Sequence, residues 1–301
     1  MNRLADHRFG VSTHLFHESR LSREHLVHIA AHGFDAVELF ATRAHFDYHD
    51  EEAIGRLAEW LSDTRLELHS LHAPIFDGLR NGRWIGSFSN ASGNETRRRA
   101  AIAETRAALQ VARRIPCRFL VVHLGMPSAQ QPPPAPRQGS GRPERESKDD
   151  DNRPDAARRS LADIVVLAAE AGVRVAVEVM PNPLSGAAEL VPLIEDQLEG
   201  IDVGICLDYG HANLMGDLGE AIEIVSGHLW TTHVHDNRGR TDDHLVPFGG
   251  SIDWAAAMME TQKIGYDGPL MLEVAGAGTP ADVLKRSEAA CQRLEKAFIT
   301  F

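Results

Sequence analysis

Lysine is scarce. The 301-residue chain has four, Lys148, Lys263, Lys285 and Lys296, and the rest of its 31 basic residues are arginine. Lys148 falls in a polar insertion and the others in predicted helices, so none stands at a strand end where a Schiff-base lysine would act. Cysteine is scarce too. Cys117, Cys206 and Cys291 are far apart and odd in number, which excludes a disulfide framework and fits a reducing, cytoplasmic setting. No apolar run approaches the roughly 18 residues of a membrane helix. The opening residues Met1–Arg8 are polar, so no signal peptide is expected. No Gly-x-Ser-x-Gly nucleophile elbow occurs, and no glycine-rich phosphate loop follows the first strand-like run. The net charge of −12 argues against a protein that coats nucleic acid. Together these absences exclude membrane, disulfide-knot, collagen-like and disordered classes.

What is present is an ordinary globular composition, 43% hydrophobic and 25% charged, in a chain of the size of one α/β barrel. Short Val/Ile/Leu-rich runs read as buried parallel strands: Phe9–Thr13, Ala36–Phe40, Leu66–His72, Phe119–His123, Val173–Val179, Val203–Asp208, Leu229–His235 and Leu270–Val274. Amphipathic helical stretches separate them, several ending at a glycine (Gly33, Gly172, Gly200) placed as a C-cap. Eight β-then-α units predict a single-domain (β/α)8 TIM barrel over residues 1–301. One segment, 128–154, breaks the pattern. It is rich in Pro, Gly and charge, follows the fourth strand, and reads as a disordered or lid-like insertion.

Barrel chemistry sits at the C-terminal ends of the strands. Strands three to eight finish on His72, His123, Glu178, Asp208 (with His211), His233 and His235 (with Asp236), and Glu273. Singly, each of these reads as a cap or a structural group. Together they would crowd one mouth, where carboxylates repel unless a cation neutralises them. Mixed imidazole and carboxylate donors therefore predict a divalent metal ion, with Mn, Co, Mg or Zn as candidates.

In order and spacing these residues resemble the xylose isomerase-like superfamily of barrels, which includes ketose 3-epimerases, inosose dehydratases and endonuclease IV. The resemblance covers the chain apart from 128–154. The epimerase branch implies one metal on Glu178, Asp208, His233 and Glu273, with His211 touching substrate and an arginine, Arg238 or Arg240, nearby. His235 lies two residues from His233 and stays open as an alternative ligand. The endonuclease branch implies further ligands at His72, His123, Asp242 and His244.

The leading expectation is a metal-dependent sugar, sugar phosphate or polyol isomerase or epimerase. It would abstract a proton next to a carbonyl through an enediolate, with Glu178 and Glu273 as acid/base pair. A dehydratase would share the first step. The alternative is a multi-zinc phosphodiesterase or AP endonuclease. Xylose isomerase proper uses a lysine near its carboxylates, and none is placed for it here. Trp84, Phe16, Phe40 and Phe248 are candidate apolar walls. The expected partner is a small carbohydrate, with no nucleic acid and no membrane, and the family's habit implies a homo-oligomer.

Overall fold

The apolar runs pair edge to edge into a closed, all-parallel barrel. The computed structural model describes residues 9–80, 83–127, 148–197, 202–275 and 278–299. The barrel strands are β1 (Phe9–Ser12), β2 (Ala36–Phe40), β3 (Glu67–His72), β6 (Phe119–Val122), β7 (Arg174–Glu178), β8 (Val203–Asp208), β9 (Leu229–Val234) and β10 (Leu270–Leu272). Their order around the wall is β1-β10-β9-β8-β7-β6-β3-β2. Most are buried on both faces, because helices cover the outside and side chains fill the inside. The single-domain barrel expected from the β/α alternation is what forms.

Around the wall lie α1 (Arg23–Ala31), α2 (Glu51–Thr64), α3 (Glu95–Arg114), α4 (Pro154–Glu170), α5 (Ala187–Gln197), α7 (Leu218–Ile224), α8 (Trp254–Lys263) and α9 (Pro280–Ile299). Their starts are set by side-chain caps. Asp50, Asn94, Asp217 and Asp253 each accept a hydrogen bond from a first-turn amide. None of the described helices is long and apolar enough to cross a membrane.

Two elements were not anticipated. A hairpin, β4 (Phe76–Arg80) with β5 (Arg83–Ser87), rises from the end of β3. A short helix, α6 (Tyr209–Met215), follows β8 directly, with Asp208 as its N-cap. Of the expected insertion, residues 128–147 lie outside the described residues. Residues 148–154 form a 3₁₀ turn at Lys148–Asp151 and run into α4. This end is tied to the neighbouring loop. Gly93 N–H donates to Asp150 O, Arg153 N–H to Ala91 O, and Arg97 pairs with Asp151 at 3.0 Å.

The ladder shifts register in two places, between Val37 and Glu38 opposite β3, and between Ile205 and Cys206 opposite β9. A bulge lets consecutive residues share one face. On β3, His69 reaches Thr231 of β9 while the next residue, Ser70, reaches Glu38 of β2. Both therefore point into the barrel, and the polar residues of the interior stack beneath its mouth.

Candidate metal centre

Strands β7, β8, β9 and β10 each bring one acid or imidazole to the mouth. Glu178 ends β7, Asp208 ends β8, His233 lies near the end of β9, and Glu273 follows β10. All four are buried, and their ligand atoms lie within 4.8 Å of one another. His233 Nδ1 is 3.4 Å from Glu178 Oε1, 3.5 Å from Glu273 Oε2 and 3.9 Å from Asp208 Oδ2. Metal bonds of about 2.0–2.2 Å at tetrahedral angles put neighbouring ligand atoms about 3.4 Å apart. The same His233 Nδ1 is buried without a hydrogen-bond partner among the described residues. The set fits a divalent cation.

Glu178 also belongs to a second group. His72 Nε2 and His123 Nε2 stand 3.2 and 3.0 Å from its Oε2. A third group, His211, His235, Asp242 and His244, lies at the rim. There His211 Nε2 and His244 Nε2 stand 3.2 and 3.1 Å from Asp242 Oδ2.

The backbone fixes these rings. His72 Nδ1 donates to Ala73 O, His211 Nδ1 to Val179 O and His244 Nδ1 to Glu273 O. In the neutral ring, Nε2 then carries a lone pair aimed at a carboxylate oxygen. Two lone pairs at such distances repel, so a proton or a cation must lie between them. Protons serve in the cation-free protein. Burial opposes a charge on His211, yet Asp208, Asp242 and Glu178 raise its pKa well above the usual imidazole value. Burial likewise opposes His244, and Asp242 lifts it to about 10. In return, His123 and His233 hold Glu178 well below the carboxylate range despite its burial. His123 moves the other way from its neighbours, pushed down by burial.

The structure places the expected residues unevenly. Glu178, Asp208, His233, Glu273, His211, His72, His123, Asp242 and His244 all converge. His233 joins the inner group, while His235 joins the rim group with Nε2 3.0 Å from Asp208 Oδ1. Its ring lies flat on Gly210, where an added Cβ would sit 2.0 Å from His235 Cε1. Arg238 is not brought in. It is exposed, turns toward Asp243, and borders a separate surface cavity.

Asp236, the acid that follows His233 and His235, is structural. Its carboxylate accepts from the amides of Asn237, Gly250 and Ile252 and from Trp254 Nε1. It thereby ties down the loop that carries Asp242 and His244. Asp236→Ala would leave four donors unpaired, three of them buried, at about 1–3 kcal/mol for each donor that water cannot reach. A fall in Tm of at least 5 °C, roughly, is expected by thermal unfolding. A shift under about 2 °C would mean the loop is held by other contacts.

Two features escaped the sequence reading. Glu38, a carboxylate inside the apolar run Ala36–Phe40, is fully buried and meets His233 Nε2 at 3.0 Å. His14, just after β1, lines the pocket above the inner group. The only sequence signal for Glu38 is its charge within an otherwise apolar strand.

That pocket has a volume of about 250 Å³. Glu178, Glu273, His211 and His244 line it, together with the aromatic rings of Phe40, Phe76 and Trp84. Trp84 stacks on Phe76 of the hairpin at 5.2 Å and meets Phe40 edge-on at 6.0 Å. Of the expected apolar walls, Trp84 and Phe40 serve. Phe16 instead stacks on His25 in the core, and Phe248 lies under Arg293 away from the pocket. No lysine or arginine lines the pocket among the described residues.

The family model for the xylose isomerase-like TIM barrel matches residues 26–296, and the chain belongs to that family. An uncharacterised protein of Methanocaldococcus jannaschii, MJ1311, is 28% identical over 276 residues, spanning 89% of this chain and 84% of the relative. Among solved structures, a D-tagatose 3-epimerase-like protein is 25% identical with a TM-score of 0.74, covering 97% of this chain and 98% of the other. IolI, solved with a bound zinc atom, shares the fold at 17% identity and a TM-score of 0.73, covering 98% of this chain and 100% of the other.

Proposed function

We propose that the chain is a metal-dependent isomerase or epimerase of a small, uncharged carbohydrate or polyol. The observation that carries this reading is the pocket. Its roughly 250 Å³ lies below the range for drug-sized ligands, so it suits a single small polar molecule. A lining that mixes aromatic rings with carboxylates and imidazoles suits a sugar, with an apolar face and a ring of hydroxyls. Among the described residues no lysine or arginine lines the pocket, which disfavours a phosphorylated substrate. The likeness to the D-tagatose 3-epimerase-like protein supports the same class.

Glu178, Asp208, His233 and Glu273 would hold the ion. A bound divalent cation would supply a Lewis acid that favours ionisation next to a carbonyl. Glu178 and Glu273 come from strands on either side of β8 and β9, so each can face a different side of a bound substrate. One carboxylate breaks the C–H bond and takes the proton as the electron pair moves into an enediolate. The other returns a proton to carbon, on the opposite face for an epimerase. His211, with Nδ1 held by Val179 O, presents Nε2 to a substrate hydroxyl or carbonyl oxygen.

One observation favours a second reading, a multi-zinc phosphodiester hydrolase. Glu178 is shared by two ligand groups, and the rim group of His211, Asp242 and His244 is complete. Against it, no lysine or arginine lines the pocket among the described residues, and phosphate contacts are made chiefly by Arg and Lys. Elemental analysis of untagged, chelator-free protein, with a panel of free ketoses and aldoses, separates the two. About one Mn, Co or other divalent ion per chain and turnover of a free sugar are expected. Two or three zinc ions per chain, with cleavage of abasic DNA and no sugar turnover, would overturn the isomerase reading.

A further inference from the structure

Glu38 lies beneath the candidate metal centre and meets its ligand His233. It pairs in unbroken register with Ser12 of β1, and the extra residue His69 in β3 sets it opposite Ser70. The carboxylate is fully buried within the barrel. Its Oε2 accepts from Ser70 Oγ at 2.8 Å and faces His233 Nε2 at 3.0 Å, while Oε1 is buried with no hydrogen-bond partner among the described residues. A buried carboxylate is costly in a core, and apolar packing of similar volume usually serves stability better. The neighbours of Glu38 offer it one hydroxyl and one imidazole. Its burial is therefore explained by what it does to that imidazole.

His233 is held at both nitrogens. Nδ1 points at Glu178, Glu273 and Asp208, and Nε2 points at Glu38. A carboxylate on the outer nitrogen fixes the Nε2–H tautomer, leaves the Nδ1 lone pair for a cation, and makes the ring a stronger donor. We propose that Glu38 is a positioning residue for the metal centre, acting through His233 to set its tautomer, its ring orientation and its affinity for a divalent cation. The proposal rests on the reading of Glu178, Asp208, His233 and Glu273 as metal ligands. It does not depend on which reaction the centre serves.

The test is a Co²⁺ titration of metal-stripped full-length protein followed by visible absorption, on wild type, Glu38→Gln and Ser70→Ala. Gln keeps the size of the side chain and an acceptor oxygen for Nε2–H but removes the charge. Glu38→Gln is expected to bind Co²⁺ about 10–100-fold more weakly, the range known for partners of ligating histidines. Its d–d bands should shift relative to wild type, a change that a merely structural role would not produce. Ser70→Ala removes the other hydrogen bond to Glu38 and should show a smaller change of the same sign. In a His233→Ala background, Glu38→Gln should add nothing further. Glu38→Gln that binds Co²⁺ with wild-type affinity and spectrum overturns the proposal while leaving the metal centre standing. Wild type that binds no Co²⁺, Mn²⁺ or Zn²⁺ overturns the metal centre itself. If Glu38→Gln fails to fold, Ser70→Ala decides: an unchanged Ser70→Ala spectrum and affinity would then overturn the role.

Discussion

Glu178→Gln is expected to lower kcat by about 10³-fold or more and to strip the inner centre of its ion. Two losses combine in one atom. General acid–base catalysis by a positioned carboxylate contributes about 10²–10⁴-fold, and Gln cannot take a proton from carbon. The substitution also removes the charge that four imidazoles share. His72 and His123 face Oε2, while His211 and His233 face Oε1. The variant should still fold, because the rings can release protons once the carboxylate no longer holds them. Glu273→Gln tests the other half of the pair. In D₂O the wild type should place solvent deuterium on the carbon that loses its proton, and each single variant should suppress that exchange. Steady-state kinetics on a sugar substrate, mass spectrometry of the product and elemental analysis read the three effects. Turnover within tenfold of wild type in either variant would rule out the two-carboxylate mechanism, whatever the metal content.

How far this centre could be read beforehand follows from the range of each interaction. Glu178, Asp208 and Glu273 announce themselves locally, as charges ending apolar strands, and the barrel rule then brings strand ends together. The choice between His233 and His235 could not be made that way. Both lie on one face of the same strand, and what separates them is depth against Glu178 on one side and Asp208 on the other. Glu38 was invisible because its meaning is a contact with a residue 195 positions away. Asp236 misled in the opposite sense. It sits in a motif of site residues, but its four donors come from itself outward to Trp254, so it serves the loop. The hairpin of β4 and β5 escaped because its alternation is weak: most of its residues are only partly covered, so little apolar periodicity marks them. Yet it supplies Phe76 and Trp84, and with them the aromatic wall on which the choice of substrate class depends.

Removal of the metal is expected to lower Tm by roughly 5–10 °C, and the gap should widen as pH rises. Three carboxylates, Glu178, Asp208 and Glu273, meet in one buried space with Glu38 beneath them. An ion present at about 1,000 times its Kd contributes about 4 kcal/mol through binding to the folded state alone. For a chain of this size each kcal/mol moves Tm by about 2–4 °C or somewhat less. The pH dependence comes from what replaces the ion. In the metal-free protein the charge is met by protonated imidazoles, whose folded-state pKa values are raised. His233, the ring of the inner centre, is raised well above its ordinary value of 6.5, against its burial, by Cys206 and by the carboxylates Glu38, Glu273 and Glu178. A raised pKa stabilises fully below the unfolded value and is lost as pH climbs toward the folded one. The metal-free protein should therefore lose stability as pH rises above about 6.5, while the loaded protein, whose ligating ring is already neutral, loses less. Metal uptake near pH 7.5 should in turn release protons, because rings that ligate must give theirs up. Thermal unfolding with and without chelator at pH 6.5, 7.5 and 8.5, and calorimetric titration in buffers of different ionisation enthalpy, read the two effects. A Tm gap that narrows with pH, or uptake with no proton release, would mean that the imidazoles are neutral before the ion arrives, and that the carboxylates of the empty centre are neutralised by protons of their own.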